Sequence, residues 1–267
     1  MDQTATLLVC CPDRKGLVAA LAQVLYGHGA NILDADQHTD PVAGTSLETA
    51  ISEVAARFSM KWRIASGVHH SKTAIFVSKY DHCLYDLLLR QRAGELSTEI
   101  STIISNHPDL DHVAKQFGVP FHHLPITKET KRAQEDKALE LLRAADVDLV
   151  VLARYMQVLT DDFLKSYEGQ VINIHHSFLP AFMGSKPYHR AFERGVKLIG
   201  ATAHYATVDL DEGPIIEQDV VRCSHRDSVQ DLVRKGRDLE KVVLARAVRW
   251  HLDDRILVYD NKTVVFN

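Results

Sequence analysis

From Thr73 onward the chain alternates short, wholly apolar runs with longer charged stretches of helical periodicity, and this rhythm limits the architectures open to it. Asp148-Leu149-Val150-Val151-Leu152 is the clearest of the apolar runs. It carries no alternation of apolar and polar residues, as expected of a strand covered on both faces. Thr73 to Val77, Thr102-Ile103-Ile104 and Val171 to Ile174 supply further strands, and Phe117 to Leu124 turns from a helix end into another. Leu84 to Leu89 and Thr127 to Ala145 read as helices between them, the second with Leu139 and Leu142 on its apolar face. Strand alternating with helix implies a doubly wound, mainly parallel sheet with helices on both sides, an α/β fold. Ala201 to Tyr205 and Pro214 to Val221 add two strands, and Ser228-x-x-Asp231 reads as a capping box opening a long C-terminal helix. Leu239, Val242, Val243, Ala247 and Trp250 are expected on that helix's apolar face.

The first seventy residues have a different grain. Thr6 to Cys11 is a short apolar strand, and Leu17, Val18, Leu21, Val24 and Leu25 mark one face of a helix, with Asp13 expected as its N-cap. Asn31 to Thr39 reads as a second strand, Leu47 to Phe58 as a helix and Lys61 to Ala65 as a last strand. The expected division is residues 1–66, a polar linker at 67–72, and a larger domain over 73–267.

Composition narrows the function classes. Thirty-one basic residues stand against thirty-five acidic ones, a net charge of -4. No basic block or stripe suits nucleic acid, and no apolar run reaches the roughly 18 residues of a membrane span. The N-terminus lacks the features of a signal peptide. Four cysteines without CxxC spacing fit free thiols in a reducing, cytoplasmic setting.

Chemistry concentrates in Ile172-Asn173-Ile174-His175-His176-Ser177-Phe178-Leu179-Pro180. On a strand, Asn173 and His175 point to the same side. An amide beside an imidazole can donate hydrogen bonds to a carbonyl oxygen as negative charge develops on it. Further along, Leu210-Asp211-Glu212-Gly213-Pro214 forms a turn feeding a strand. A carboxylate there can act as general base or hold the imidazole in its charged form. Taken singly, the histidine has an ordinary structural explanation and the turn is only a turn.

Taken together, Asn-x-His-x-Ser-x-Leu-Pro followed by Leu-Asp-x-Gly resembles the signature of the formyltetrahydrofolate-dependent formyl transferases, over roughly residues 73 to 221. The resemblance implies a Rossmann-like catalytic domain in which Asn173 is the catalytic amide, His175 the catalytic imidazole and Asp211 the carboxylate. Arg154, Tyr155, Met156, Gln157, Val158 and Leu159 fall on the segment that lines the folate pocket. His176, Gly184 and His204 join them as expected substrate-binding residues; the stretch from Gly184 to Ala191 matches the loop after the motif.

The acceptor of the formyl group is the open question within that family. The member acting on glycinamide ribonucleotide has a glycine- and serine-rich loop after its first strand, suited to a phosphate. Here Val77-Ser78-Lys79-Tyr80-Asp81-His82-Cys83 is bulky and has no glycine. Water becomes the natural acceptor. Cys11-Pro12-Asp13-Arg14-Lys15-Gly16-Leu17 is similar to the first turn of an ACT domain, a ligand-sensing module of ferredoxin-type α+β fold. An ACT domain ahead of a formyl transferase domain resembles the deformylase branch of the family. The segments Ser78 to Cys83, Ile104 to Asp109, Phe121 to Pro125 and Val258 to Phe266 carry the same likeness. The ACT-like unit reads as shortened, because Pro41 to Ser46 runs directly into a helix where a strand is expected.

The resemblance implies a hydrolase acting on a linear amide C–N bond, 10-formyltetrahydrofolate being its substrate and no cofactor or metal being used. It implies a homodimer or homotetramer, an amino-acid effector at the ACT-like unit, and formate feeding purine synthesis while one-carbon folates are balanced. The alternatives are a formyltransferase with an unidentified amine acceptor, a folate or amino-acid sensor, and a zinc hydrolase built on His175, His176, His189, His204 and Asp211. The zinc reading lacks HExxH or a cysteine pair.

Overall fold

The computed structural model describes residues 5–10, 16–30, 38–39, 45–66, 70–180 and 187–266. It divides into two compact units: Met1–His69 with Asp254–Asp260 and Val264–Asn267, and His70–Asp253 with Asn261–Thr263. The C-terminal segments 254–260 and 264–267 thus group with the first unit, although the sequence reading assigned them to the second domain.

In the first unit, β1 (Ala5–Cys10), α1 (Leu17–Gly27), β2 (His38–Thr39), α2 (Thr45–Phe58) and β3 (Lys61–Ser66) follow in order. The sheet runs β2-β1-β3, with both pairs antiparallel. Leu7, Leu21, Leu25, Ile51, Ala55, Phe58 and Met60 close its core. The described elements run β-α-β-α-β, and residues 40–44, on which the expected shortening mainly rests, lie outside the described residues. Gly16 stands at the N-cap position of α1, at φ 90 and with no side-chain cap bond, while Asp13, the expected N-cap, lies outside the described residues. Residues 11–15 and 31–37 lie outside the described residues.

The second unit holds β4 (Ser71–Val77), α3 (His82–Arg92), β5 (Thr98–Ser105), α4 (Asp111–Phe117), β6 (Phe121–His123) and α5 (Lys131–Ala144). These are followed by β7 (Leu149–Leu152), α6 (Asp161–Ser166), β8 (Val171–His175), α7 (Pro187–Arg194), β9 (Leu198–Tyr205), β10 (Ile215–Arg222) and α8 (Val229–Leu252). Seven strands form one sheet in the order β10-β9-β8-β7-β4-β5-β6. β4 to β8 are parallel neighbours, whereas β9 and β10 pair antiparallel at one edge. The alternation of strand and helix required this: parallel neighbours need crossovers, and the helices that provide them cover the sheet.

All four residues of β7 are buried. On one side Ala74, Phe76, Val150 and Leu152 pack with Leu139 and Leu142 of α5 and Phe163 of α6. Phe76 meets Tyr155 and Phe163 edge-to-face at 5.3 and 5.8 Å. α8 packs against β8, β9, β10 and α3. Its N-cap is Ser228, whose hydroxyl accepts from the backbone N–H of Asp231 while the Asp231 carboxylate accepts from that of Ser228, the capping box read from the sequence. Its buried stripe, however, is rotated from the expected one. Leu232, Gly236, Glu240, Val243, Leu244, Ala247 and Val248 are buried, while Leu239, Val242 and Trp250 are only half-buried. The last strands, β11 (Ile256–Tyr259) and β12 (Lys262–Val265), form a two-stranded sheet. Among the described residues no helix is long and apolar enough to cross a membrane.

Candidate active site

Parallel sheets present their ligand sites at the carboxyl ends of the strands. Here the ends of β7 and β8 and the β9–β10 turn meet around a cavity of about 250 Å³. Asn173 and His175 alternate with buried Ile172 and Ile174 along β8, so both face one side of the sheet. The register pairs Asn173 with His204 of β9 and His175 with Thr202. That register puts the Asn173 amide nitrogen 3.1 Å from His204 Nε2. His204 Nδ1 donates to the Tyr205 carbonyl oxygen at 2.9 Å, which leaves Nε2 to accept from Asn173. Burial holds the His204 imidazole below its ordinary pKa, in keeping with this neutral form.

Asp211 enters from the turn between β9 and β10 at φ 60, a left-handed conformation that aspartate tolerates better than most residues. Gly213 makes the turn possible. A Cβ there would sit 1.8 Å from the Tyr205 carbonyl oxygen, so the chain passes too close for any side chain. The turn delivers Asp211 Oδ1 to 3.1 Å from His175 Nδ1 and 3.8 Å from His204 Nε2. Burial pushes the Asp211 carboxyl up. The His175 hydrogen bond and the neighbouring imidazoles more than offset it, and the net shift is downward. Asp211 is therefore a carboxylate at neutral pH and holds the Nδ1–H of His175. His175 Nε2 remains, buried and without a hydrogen-bond partner. Such an orphaned polar atom inside a cavity is costly unless something occupies it.

β8 ends at His175, so the alternation stops there and His176 lines the same cavity. Its ring lies 5.2 Å from that of His175. Burial, reinforced by Arg154, lowers its pKa to about 3. A histidine buried neutral binds a proton in the unfolded chain before it does so in the folded one. Its contribution to stability is therefore lost as pH falls from its ordinary 6.5 towards 3, by about 2 kcal/mol at pH 5. His176→Asn is expected to flatten this decline in urea-unfolding free energy between pH 7 and pH 5.

Arg154, Tyr155, Met156, Gln157, Val158 and Leu159 all line the cavity, as do His204 and Asp211. Met156 and Val158 are about half exposed at its mouth, 52% and 48%, an apolar rim for a flat ring. The Met156 backbone N–H donates to Ser78 Oγ at 3.0 Å, and Ser78 donates to Asn106 at 2.7 Å, which ties the segment to the ends of β4 and β5. Gly184 lies outside the described residues. Leu179-Pro180 is a cis peptide.

His189 lines a neighbouring cavity instead, with Glu240, His82, Tyr80, Tyr188 and Arg237. Glu240 is fully buried; it accepts from the Tyr188 hydroxyl at 2.6 Å and from His82 Nε2 at 2.8 Å. Gly236, one turn before Glu240 on α8, gives the Tyr188 ring its space, since a Cβ there would lie 2.1 Å from the hydroxyl. Sequence reasoning did not single out Glu240. The available signal was a carboxylate in a stripe with Leu232, Gly236 and Val243 at helical spacing. Among the described residues, the group able to gather metal-ligand atoms within 4.8 Å of one another is His82, Cys83 and Glu240, and not the histidines around Asp211.

An amide and an imidazole thus face one point, backed by a carboxylate, at the carboxyl edge of a parallel sheet in an α/β fold of the formyl transferase class. The formyl transferase family model matches residues 71–248, and the ACT domain model matches residues 5–55. A formyltetrahydrofolate deformylase of Synechocystis sp. is 59% identical over 280 residues, covering 98% of each chain. The crystal structure of a formyltetrahydrofolate deformylase from Pseudomonas syringae pv. tomato superposes with a TM-score of 0.94 at 44% identity, over 100% of this chain and 95% of that one. A glycinamide ribonucleotide transformylase from Symbiobacterium toebii matches 76% of this chain and 97% of its own, at 30% identity and a TM-score of 0.70. The chain belongs to the formyltetrahydrofolate deformylase family.

Proposed function

We propose that this chain hydrolyses 10-formyltetrahydrofolate to tetrahydrofolate and formate. The observation that carries the proposal is the unpartnered Nε2 of His175, held between Asn173 and Asp211 in a cavity whose rim is apolar. The pterin ring lies along the segment from Arg154 to Leu159, with His176, Gly184 and His204 completing the binding residues and the rest of the folate outside the cavity. Water attacks the formyl carbon, oriented by the Asp211 carboxylate. The free N–H of Asn173 and the Nε2–H of His175 stabilise the tetrahedral oxyanion. The imidazolium form that this needs is supported by Asp211 at Nδ1. The C–N10 bond then breaks, and the proton given up by water passes through the His175–Asp211 pair to N10, which leaves as an amine.

No cofactor enters this scheme. The enzyme works in the cytoplasm as a homodimer or homotetramer, and the ACT-like unit takes an amino-acid effector. Incubation with 10-formyltetrahydrofolate and no acceptor is expected to release formate and tetrahydrofolate in equal amounts, undiminished after exhaustive chelation. Asn173→Ala is expected to lower turnover by about 10²–10³. Folate binding without formate release refutes the proposal.

A further inference from the structure

Arg154 holds a backbone conformation that costs an L-residue energy, φ 64, and glycine is the residue that adopts it freely. Such outliers persist where their surroundings over-determine them. Around Arg154 the over-determining contacts belong to its side chain, which is nine-tenths buried. Its Nε lies 3.4 Å from Glu240 Oε2, and its guanidinium lies over the Tyr80 ring at 5.2 Å from the centroid. Tyr80 carries a second guanidinium, that of Arg237, also at 5.2 Å.

This assembly stands between two cavities. One contains Asn173, His175 and Asp211. The other, about 290 Å³, lies between the β4–α3 turn, α7 and α8. Arg154, Met156 and His176 line both, so they form the partition. On the hydrolytic reading, a formyl carbon at His175 is separated from the second cavity by these three residues. The transformylase from Symbiobacterium toebii has the same fold, and its name specifies an amine-bearing acceptor. What separates hydrolysis from transfer on such a fold is therefore what reaches the carbon.

We propose, resting on the hydrolytic reading above, that Arg154 is the residue that restricts the formyl acceptor to water. Its side chain, fixed by Glu240 and Tyr80, fills the passage between the cavities. Its charge, with that of Arg237, repels an amine, which is an ammonium ion at neutral pH. Glu240 does not attract one, because its oxygens are taken up by Tyr188, His82 and Arg154. Both outcomes balance without another reactant. With water, a C–O bond forms, the C–N10 bond breaks, N10 takes one proton and formate leaves with the release of another. With an amine, arriving as ammonium, a C–N bond forms, the C–N10 bond breaks, one proton moves to N10 and a second is released.

The test is a partition measurement. The full-length protein, Arg154→Gly combined with Glu240→Gln, and Tyr80→Ala are each given 10-formyltetrahydrofolate and glycinamide, and formate and N-formylglycinamide are quantified. Glycine suits φ 64, and the Gln substitution removes the carboxylate that would lose its cation. Tyr80 is 41% exposed, so its replacement leaves the core intact. The wild type is expected to give formate with only a trace of N-formylglycinamide. The double variant is expected to raise the ratio of N-formylglycinamide to formate by ~10–200-fold, the range over which pocket size discriminates substrates, and Tyr80→Ala by less. A ratio unchanged in both variants overturns the proposal. So does loss of both products by variants that still bind folate, which would place Arg154 in the chemistry itself. A wild type that releases no formate sinks the hydrolytic reading, and this inference with it.

Discussion

Asp211→Asn is expected to lower kcat for formate release by about 10²–10⁴, with KM nearly unchanged. The substitution is close to isosteric, and asparagine tolerates the left-handed backbone at this position as well as aspartate does. Thermal unfolding should consequently shift little. What disappears is charge. The carboxylate accepts the Nδ1–H of His175 at 3.1 Å and supports the imidazolium that faces the oxyanion. An amide carries no charge with which to support an imidazolium, and attacking water loses its orienting base. A large rise in KM with kcat preserved would mean that Asp211 binds substrate and takes no part in the reaction.

Glu240→Ala is the second large effect expected, and it falls on stability. Glu240 is 1% exposed and meets Arg154, whose side chain is 9% exposed. A buried pair contributes little net stability against an apolar replacement, but removing one partner strands the other. The cost is expected to be about 3–5 kcal/mol in urea unfolding. The His82 and Tyr188 hydrogens also lose their acceptor, so the upper part of that range is the better expectation. Combining Glu240→Ala with Arg154→Gly should recover much of the loss, a non-additivity that a double-mutant cycle measures directly. Full additivity would show that the two side chains do not interact.

The contrast between these two residues explains what was legible in the sequence. Asn173 and His175 were readable because strand periodicity is two and both neighbours are apolar; the chemistry stands out against its local pattern. Asp211 was readable from a turn that only glycine permits. His176 reaches the same cavity because the strand stops at His175, one residue before alternation would turn it away. The Arg154, His82, Tyr188 and Glu240 group was not legible, since its members come from four elements and His82 and Glu240 are 158 positions apart. Nothing local marks such a group except a carboxylate within the buried stripe of α8. The rotated stripe has the same origin. Leu239 and Val242 look like core residues by hydrophobicity, yet Gly236 and Glu240 take the inner face because Tyr188 needs the space and the hydrogen bond.

The pairing of Asn173 with His204 is set by the antiparallel register of β9 on β8, and a slip of β9 by one residue would turn His204 to the opposite face of the sheet. The acceptor partition is carried elsewhere, on the loop after β7, the turn after β4 and a helix. Over evolutionary time these two parts can therefore drift at different rates. The reactive pair is inherited with the sheet as a unit, whereas the barrier to rival nucleophiles hangs on individually replaceable side chains. A lineage could in this way change its acceptor by a few substitutions while its bond-breaking apparatus stayed frozen in place.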